Sequence, residues 1–296
     1  MFWNVIWKTY RAFCRWIIKR TATHIFYVSR NSLMDIVNPS SNSLGGSIEQ
    51  KWIPPAIDIR TSCRSAKHLE PVRCRQSIYR VACIGRMHES RFIGNPKNQQ
   101  MIISIASQFR KQNLKPSAIK FFLVGDGAAR PKFEQEVADL GLCEFIEFTG
   151  EISNVPEFLW EDIDLVLAPS THEGFGMTVV EAQLQGVPVV ISENIPDETI
   201  LSNRLVARQS LESGIDGWAN AVHTQWRRIQ NNELDSKLTE RQRVLTLIQG
   251  TVYTPEHNAI AMLDSYRDSS ACRVAGICET KGRLMVGGEK GEIKWD

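Results

Sequence analysis

The sequence predicts an α/β fold, a Rossmann-like parallel sheet covered by helices. Two observations carry this prediction. From Tyr79 onward, short continuous apolar runs recur at 80–84, 120–124, 144–148, 164–168 and 187–191. Between them lie helical segments at 98–112, 130–140, 155–159 and 177–185. Strands that are apolar throughout are buried on both faces, and the intervening helices supply the crossovers that parallel strands require. A weaker strand follows at 204–207, and a late helix at 255–266 crosses back towards the N-terminal segment.

Composition agrees with a folded chain. Of 296 residues, 43% are hydrophobic and 23% charged, which excludes a mainly disordered, collagen-like or polytopic membrane protein. Thirty-five basic against 33 acidic residues leave a net charge of +2, so no nucleic-acid partner is expected. Seven cysteines, an odd number with no CxxC pair, read as reduced thiols of a cytoplasmic protein.

The first thirty residues differ from the rest. Lys8, Arg11, Arg15 and Lys19 form one helical stripe, surrounded by Phe2, Trp3, Trp7, Phe13 and Trp16, and no acid precedes Asp35. The charges interrupt the apolar run, so it does not span a membrane. Two readings stand: a helix packed on a sheet, or a peripheral helix (residues 1–20) on the inner face of a membrane. Next come a strand at 23–29, a helical turn at 31–37, a loop at 39–47 and an extended segment at 52–59, where Pro54 and Pro55 forbid a helix. Residues 60–78 read as a linker, 79–250 as the sheet domain, 251–268 as the returning helix, and 269–296 as a disordered tail.

In an open parallel sheet, ligands bind beyond the carboxyl ends of the strands. The first strand-to-helix loop offers Gly85 and Arg86, then Lys97 at a helix start. Two cations beside a helix N-terminus suit a pyrophosphate. The second loop holds Gly125 and Gly127; Arg130 stands where a dinucleotide fingerprint needs Gly or Ala, so NAD is not expected. The third, with Gly150 and Ile152, could meet a flat ring such as a nucleobase. The fourth is the most informative. Glu173, Gly174, Phe175 and Gly176 lead into a helix containing Glu181 among apolar neighbours. A carboxylate in such company is paired or accepts hydrogen bonds from a ligand. Two carboxylates flanking an amide-rich loop suit a nucleotide sugar, with hydroxyls on both sides of its phosphates.

EGFGMTVVEAQLQGVPVV resembles the E-x7-E signature of GT-B fold glycosyltransferases of the GT4 type (glycosyl transferases group 1). LVLAPS, the GR…KN pair, LVGDG and the FTG loop follow in that family's order, and the closest flavour is EpsF-like, in extracellular polysaccharide assembly. The resemblance covers about 79–266. It implies a retaining glycosyltransferase that takes a sugar from a nucleotide-sugar donor, UDP- or GDP-linked, to a glycan or lipid-linked acceptor. Arg86 and Lys97 would hold the diphosphate, Glu173 the sugar hydroxyls, the Gly174–Gly176 amides the phosphates, and Glu181 the ribose. No cofactor and no metal are implied.

The family's acceptor-binding N-terminal domain has a counterpart here only in residues 1–59, which resemble its end. The expectation is therefore a remnant of that domain in a truncated chain, with a separate acceptor-domain partner supplying the rest. Two alternatives accompany it, a nucleotide-sugar-binding protein without transfer activity and a sugar-nucleotide epimerase.

Overall fold

The computed structural model describes residues 24–29, 32, 49–57, 78–89, 94–267, 285–286 and 293–294. The expected helix at 1–20, most of the helical turn at 31–37, the loop at 39–47 and nearly all of the linker at 60–78 lie outside these residues. Strands β1 (His24–Tyr27) and β2 (Glu49–Trp52) pair in parallel, apart from the main sheet. The main sheet comprises β3 (Tyr79–Ile84), β4 (Ile119–Val124), β5 (Ile146–Gly150), β6 (Leu165–Ala168), β7 (Val189–Ile191) and β8 (Val206–Arg208). All six are parallel and lie in the order β5-β4-β3-β6-β7-β8.

Alternation along each strand sorts side chains between two layers. On one face, Val81, Cys83, Phe121, Leu123 and Leu167 pack against α1 (Gln99–Lys111) and α2 (Arg130–Asp139). On the other, Ala82, Phe122, Val166, Val189 and Ile191 pack against α3 (Val155–Asp162) and α4 (Met177–Leu184). The expected Rossmann-like sheet is thus present. Burying a side chain such as Phe121, which is fully enclosed, stabilises the fold by about 1.5–3 kcal/mol.

Two helices were not anticipated. Helix α5 (Gly214–Gln230) joins the first face through Trp218, Ala219 and Val222. Helix α6 (Lys237–Ile248) forms an outer layer over α4, where Val244 and Ile248 meet Val180 and Leu184. Gly186 lets α4 and α6 approach, since a Cβ there would lie 2.2 Å from the Lys237 carbonyl oxygen. The strand expected at 144–148 lies two residues later, and Gly150 belongs to it.

Helix α7 (Pro255–Arg267) returns to the N-terminal segment as expected. Asn258 Nδ2 donates to the Pro54 carbonyl at 2.7 Å, and the Ile57 amide donates to the Tyr253 carbonyl at 2.7 Å. The Trp52 and Tyr253 rings meet edge-on, 5.9 Å between centroids. In the tail, β9 (Met285–Val286) pairs antiparallel with β10 (Ile293–Lys294).

Candidate functional site

Strand order reverses between β3 and β6, and a crevice opens beyond their carboxyl ends. It holds a small cleft lined by Cys83, Lys97, Ser170, Glu173, Gly176 and Thr178. Three of the sequence-predicted residues, Lys97, Glu173 and Gly176, therefore share one space.

Lys97 precedes α1 and reaches across Gly85. A Cβ on Gly85 would lie 2.9 Å from the Lys97 Cγ and Cε, so the glycine leaves room for the lysine stem. The Lys97 ammonium ends 2.5 Å from Glu173 Oε2, and both side chains are partly buried. The loops carrying them are tied together by the Thr171 amide, which donates to the Pro96 carbonyl at 2.9 Å. Beneath them, Gln99 is fully buried, and its Nε2 donates to the carbonyls of Gly85 (3.2 Å) and Arg86 (3.3 Å). Sequence reading passed over Gln99; a glutamine in the first turn of a helix looks like surface.

The start of α4 faces the cleft. Gly176 occupies the N-cap in a left-handed conformation (φ 103°) that disfavours a side chain, and α4 has neither a side-chain cap nor an acid in its first turn. Free amides at such a terminus attract an anion. Gly174 has an ordinary φ, and a Cβ there would meet nothing within 4 Å. The Phe175 ring turns inward to Val180 and Leu184, so it anchors the loop and offers only its backbone to a ligand. The hydroxyl of buried Ser29, just beyond β1, donates to the Gly174 carbonyl.

Gln183 was also missed. It is fully buried, and all four of its hydrogen-bonding positions are used. Nε2 donates to the carbonyls of Val179 and Thr199, and Oε1 accepts from the amides of Leu201 and Ser202. It thereby fastens the chain after β7 to α4. From that chain, Ile195 lines the cleft.

The remaining predicted residues lie outside the cleft lining. Arg86 is exposed and has no ion-pair partner among the described residues. Glu181 sits in the second turn of α4, half-buried, and its carboxylate has no partner among the described residues; burial pushes its pKa up. Gly125 and Gly127 allow the loop after β4 to lie against the loop after β3, with would-be Cβ atoms 2.4 Å from the Gly85 carbonyl oxygen and 2.2 Å from that of Met87. Arg130 pairs with Asp126 (3.0 Å) and Glu134 (2.7 Å), which gives it a local role in place of the fingerprint glycine. The Gly125 amide donates to the Gly150 carbonyl at 2.7 Å, drawing the end of β5 alongside. Ile152 packs partly against the second core face. Cys83 is on the cleft floor, where burial pushes its thiol up to about 12, with Lys97 opposing, so it is not a nucleophile near neutrality.

Among the described residues, no group of three or more His, Cys, Asp or Glu could hold a metal ion. No described helix is long and apolar enough to cross a membrane.

Residues 79–224 match the family described as glycosyl transferases group 1. This segment is a group 1 glycosyltransferase domain. The domain contains every residue of the cleft described above. Its relatives include EpsF of Bacillus subtilis, a glycosyltransferase by name, 28% identical over 142 residues that make up 48% of this chain and 34% of EpsF. LpsB of Rhizobium meliloti, named as a lipopolysaccharide core biosynthesis mannosyltransferase, is 34% identical over 98 residues, 31% of this chain and 28% of LpsB. The matched part thus spans about a third of these relatives' length. Among solved structures, Anabaena Alr3699/HepE in complex with UDP superposes with a TM-score of 0.62 at 20% identity, over 84% of this chain and 65% of that one. At that identity the likeness establishes the fold, and the fold agrees with a group 1 glycosyltransferase.

Proposed function

We propose that the chain binds a nucleotide-sugar donor at this crevice and serves retaining transfer of the sugar to a glycan or lipid-linked acceptor in cell-surface or extracellular polysaccharide biosynthesis. The observation that carries the reading is the Lys97–Glu173 pair, held across two loops at the strand-order reversal and beside the uncapped start of α4. One group is suited to a phosphate and the other to sugar hydroxyls, and they are adjacent, as the two parts of a donor are.

In this reading the diphosphate lies between Lys97, Arg86 and the amides around Gly176. As the glycosidic bond lengthens, the sugar gains oxocarbenium character and the departing diphosphate gains negative charge. Fixed cations and aligned amides stabilise that charge more in the transition state than in the ground state. Glu173 orients the sugar through its hydroxyls. Glu181, a half-buried carboxylate without a partner among the described residues, accepts the ribose hydroxyls. Gly150 and Ile152 flank the nucleobase. The name of LpsB, a lipopolysaccharide core biosynthesis mannosyltransferase, supports a polysaccharide or lipid-linked acceptor, and HepE, solved with UDP, supports a uridine donor. The acceptor is bound by residues outside this domain, supplied by a partner half or by further chain, and any membrane contact falls to residues 1–20.

The test is calorimetric titration of the chain with UDP, GDP and ADP, then with the corresponding nucleotide sugars. Saturable binding that Arg86→Ala and Glu181→Ala both weaken supports the reading. A folded chain that binds none of them overturns it.

A further inference from the structure

Lys97 has a counter-charge before any ligand arrives. Its ammonium lies 2.5 Å from Glu173, with the two side chains only 26% and 16% exposed, so solvent and salt screen the pair weakly. Lys97 is also the cleft-lining cation that a diphosphate would meet. A diphosphate entering the cleft must share or break this ion pair, and it brings its own negative charge towards the Glu173 carboxylate. We infer that Glu173 makes the site select a nucleotide sugar over the bare nucleoside diphosphate, by competing for Lys97. The inference rests on the donor-site reading above.

The chemistry of the two ligands differs at this carboxylate. A nucleotide sugar carries hydroxyls just beyond its diphosphate. One of them donates to Glu173 and replaces the contact that Lys97 gives up, as a hydrogen bond to a charged acceptor. A bare nucleoside diphosphate has no such donor, and its terminal phosphate carries more negative charge than the sugar ester does. Glu173 then faces an anion that draws on the same Lys97. Gly174, whose would-be Cβ meets nothing within 4 Å, keeps the space next to Glu173 clear for the sugar. The same competition acts after transfer. Once the sugar has left, Glu173 regains Lys97 and favours release of the nucleoside diphosphate.

The experiment is titration of UDP, UDP-glucose and uridine, and of GDP and GDP-mannose, into wild type, Glu173→Gln, Lys97→Met and the double variant, each checked by thermal melting. Glu173→Gln is expected to tighten UDP or GDP by roughly threefold to tenfold, the effect of removing one partly screened charge. It should weaken the sugar nucleotide, leave uridine unchanged, and produce little tightening when Lys97 is already Met. Unchanged or weaker UDP or GDP binding by a folded Glu173→Gln variant, while wild type binds, overturns the inference alone. Wild type that binds none of the nucleotides removes the donor-site reading, and the inference with it.

Discussion

A side chain on Gly125 would place its Cβ 2.4 Å from the carbonyl oxygen of Gly85, and Gly125 holds a φ of 122° that L side chains rarely adopt. The loops after β3 and β4 therefore touch backbone to backbone, and this contact sets where Gly85 and Arg86 stand at the cleft.

Gly125→Ala is accordingly expected to cost about 2–4 kcal/mol, through strain and overlap with backbone that cannot yield. Gly174→Ala is its control. With an ordinary φ and open space, it should change stability by less than about 0.5 kcal/mol. Denaturant melts of both variants check this, and a loss of nucleotide-sugar affinity in Gly174→Ala alone would show that the open space is used by ligand.

Gln183→Leu should be among the most damaging changes in α4. It removes four hydrogen bonds and leaves the Thr199 carbonyl and the Leu201 and Ser202 amides without their side-chain partner. A loss of about 3–5 kcal/mol is expected. Hydrogen exchange should locate the opening at residues 197–202. Uniform deprotection across the sheet instead would contradict a local fastening role.

Arg86→Ala should leave the melting temperature nearly unchanged, because the side chain is exposed and unpaired among the described residues. Nucleotide affinity should fall by about tenfold or more, the scale of a charge-assisted hydrogen bond. Arg86→Lys should recover part of it, since an ammonium keeps the charge and loses the planar fork. Equal affinity of wild type and Arg86→Ala would remove Arg86 from the site.

Glu181 links stability to pH. Burial raises its folded pKa above the unfolded value, so the folded state binds the proton more tightly. Its contribution is fully present below the unfolded pKa and is lost as pH rises through the folded one. At neutral pH the ionised carboxylate is a burden on the apo fold. Glu181→Gln should therefore melt higher than wild type near pH 7, with the gap closing below about pH 4. The same variant should bind nucleotide more weakly. A variant that melts lower than wild type at pH 7 would mean that the carboxylate has a structural partner.

Much of this architecture was legible in the sequence. Runs such as Phe121–Val124 and Val189–Ile191 have no polar interruption, which only a strand covered on both faces tolerates. Gly85 and Gly176 marked the loops because their backbones need a residue without Cβ. Helix α5 had a readable signal in the four-residue spacing of Trp218, Val222 and Trp226. The Lys97–Glu173 pair could not be read, because its members are 76 positions apart and meet only through the strand order. Gln99 and Gln183 were hidden for a different reason: a polar residue buried to hold backbone looks, in one dimension, like any solvated glutamine.

The clasp of Asn258 on Pro54 joins positions 204 residues apart. Closing so long a loop costs entropy, and the sheet domain between them lowers that cost by bringing its two flanks near each other. Among the described residues, the N-terminal segment meets the sheet domain's C-terminal flank through the Ile57–Tyr253 backbone hydrogen bond and the Trp52–Tyr253 ring contact as well. Because Ser29 of that same segment holds the Gly174 carbonyl while the Thr171 amide holds the Pro96 carbonyl, the loop that carries Glu173 is fastened from two sides, one of them contributed by the far end of the chain's longest closure described above.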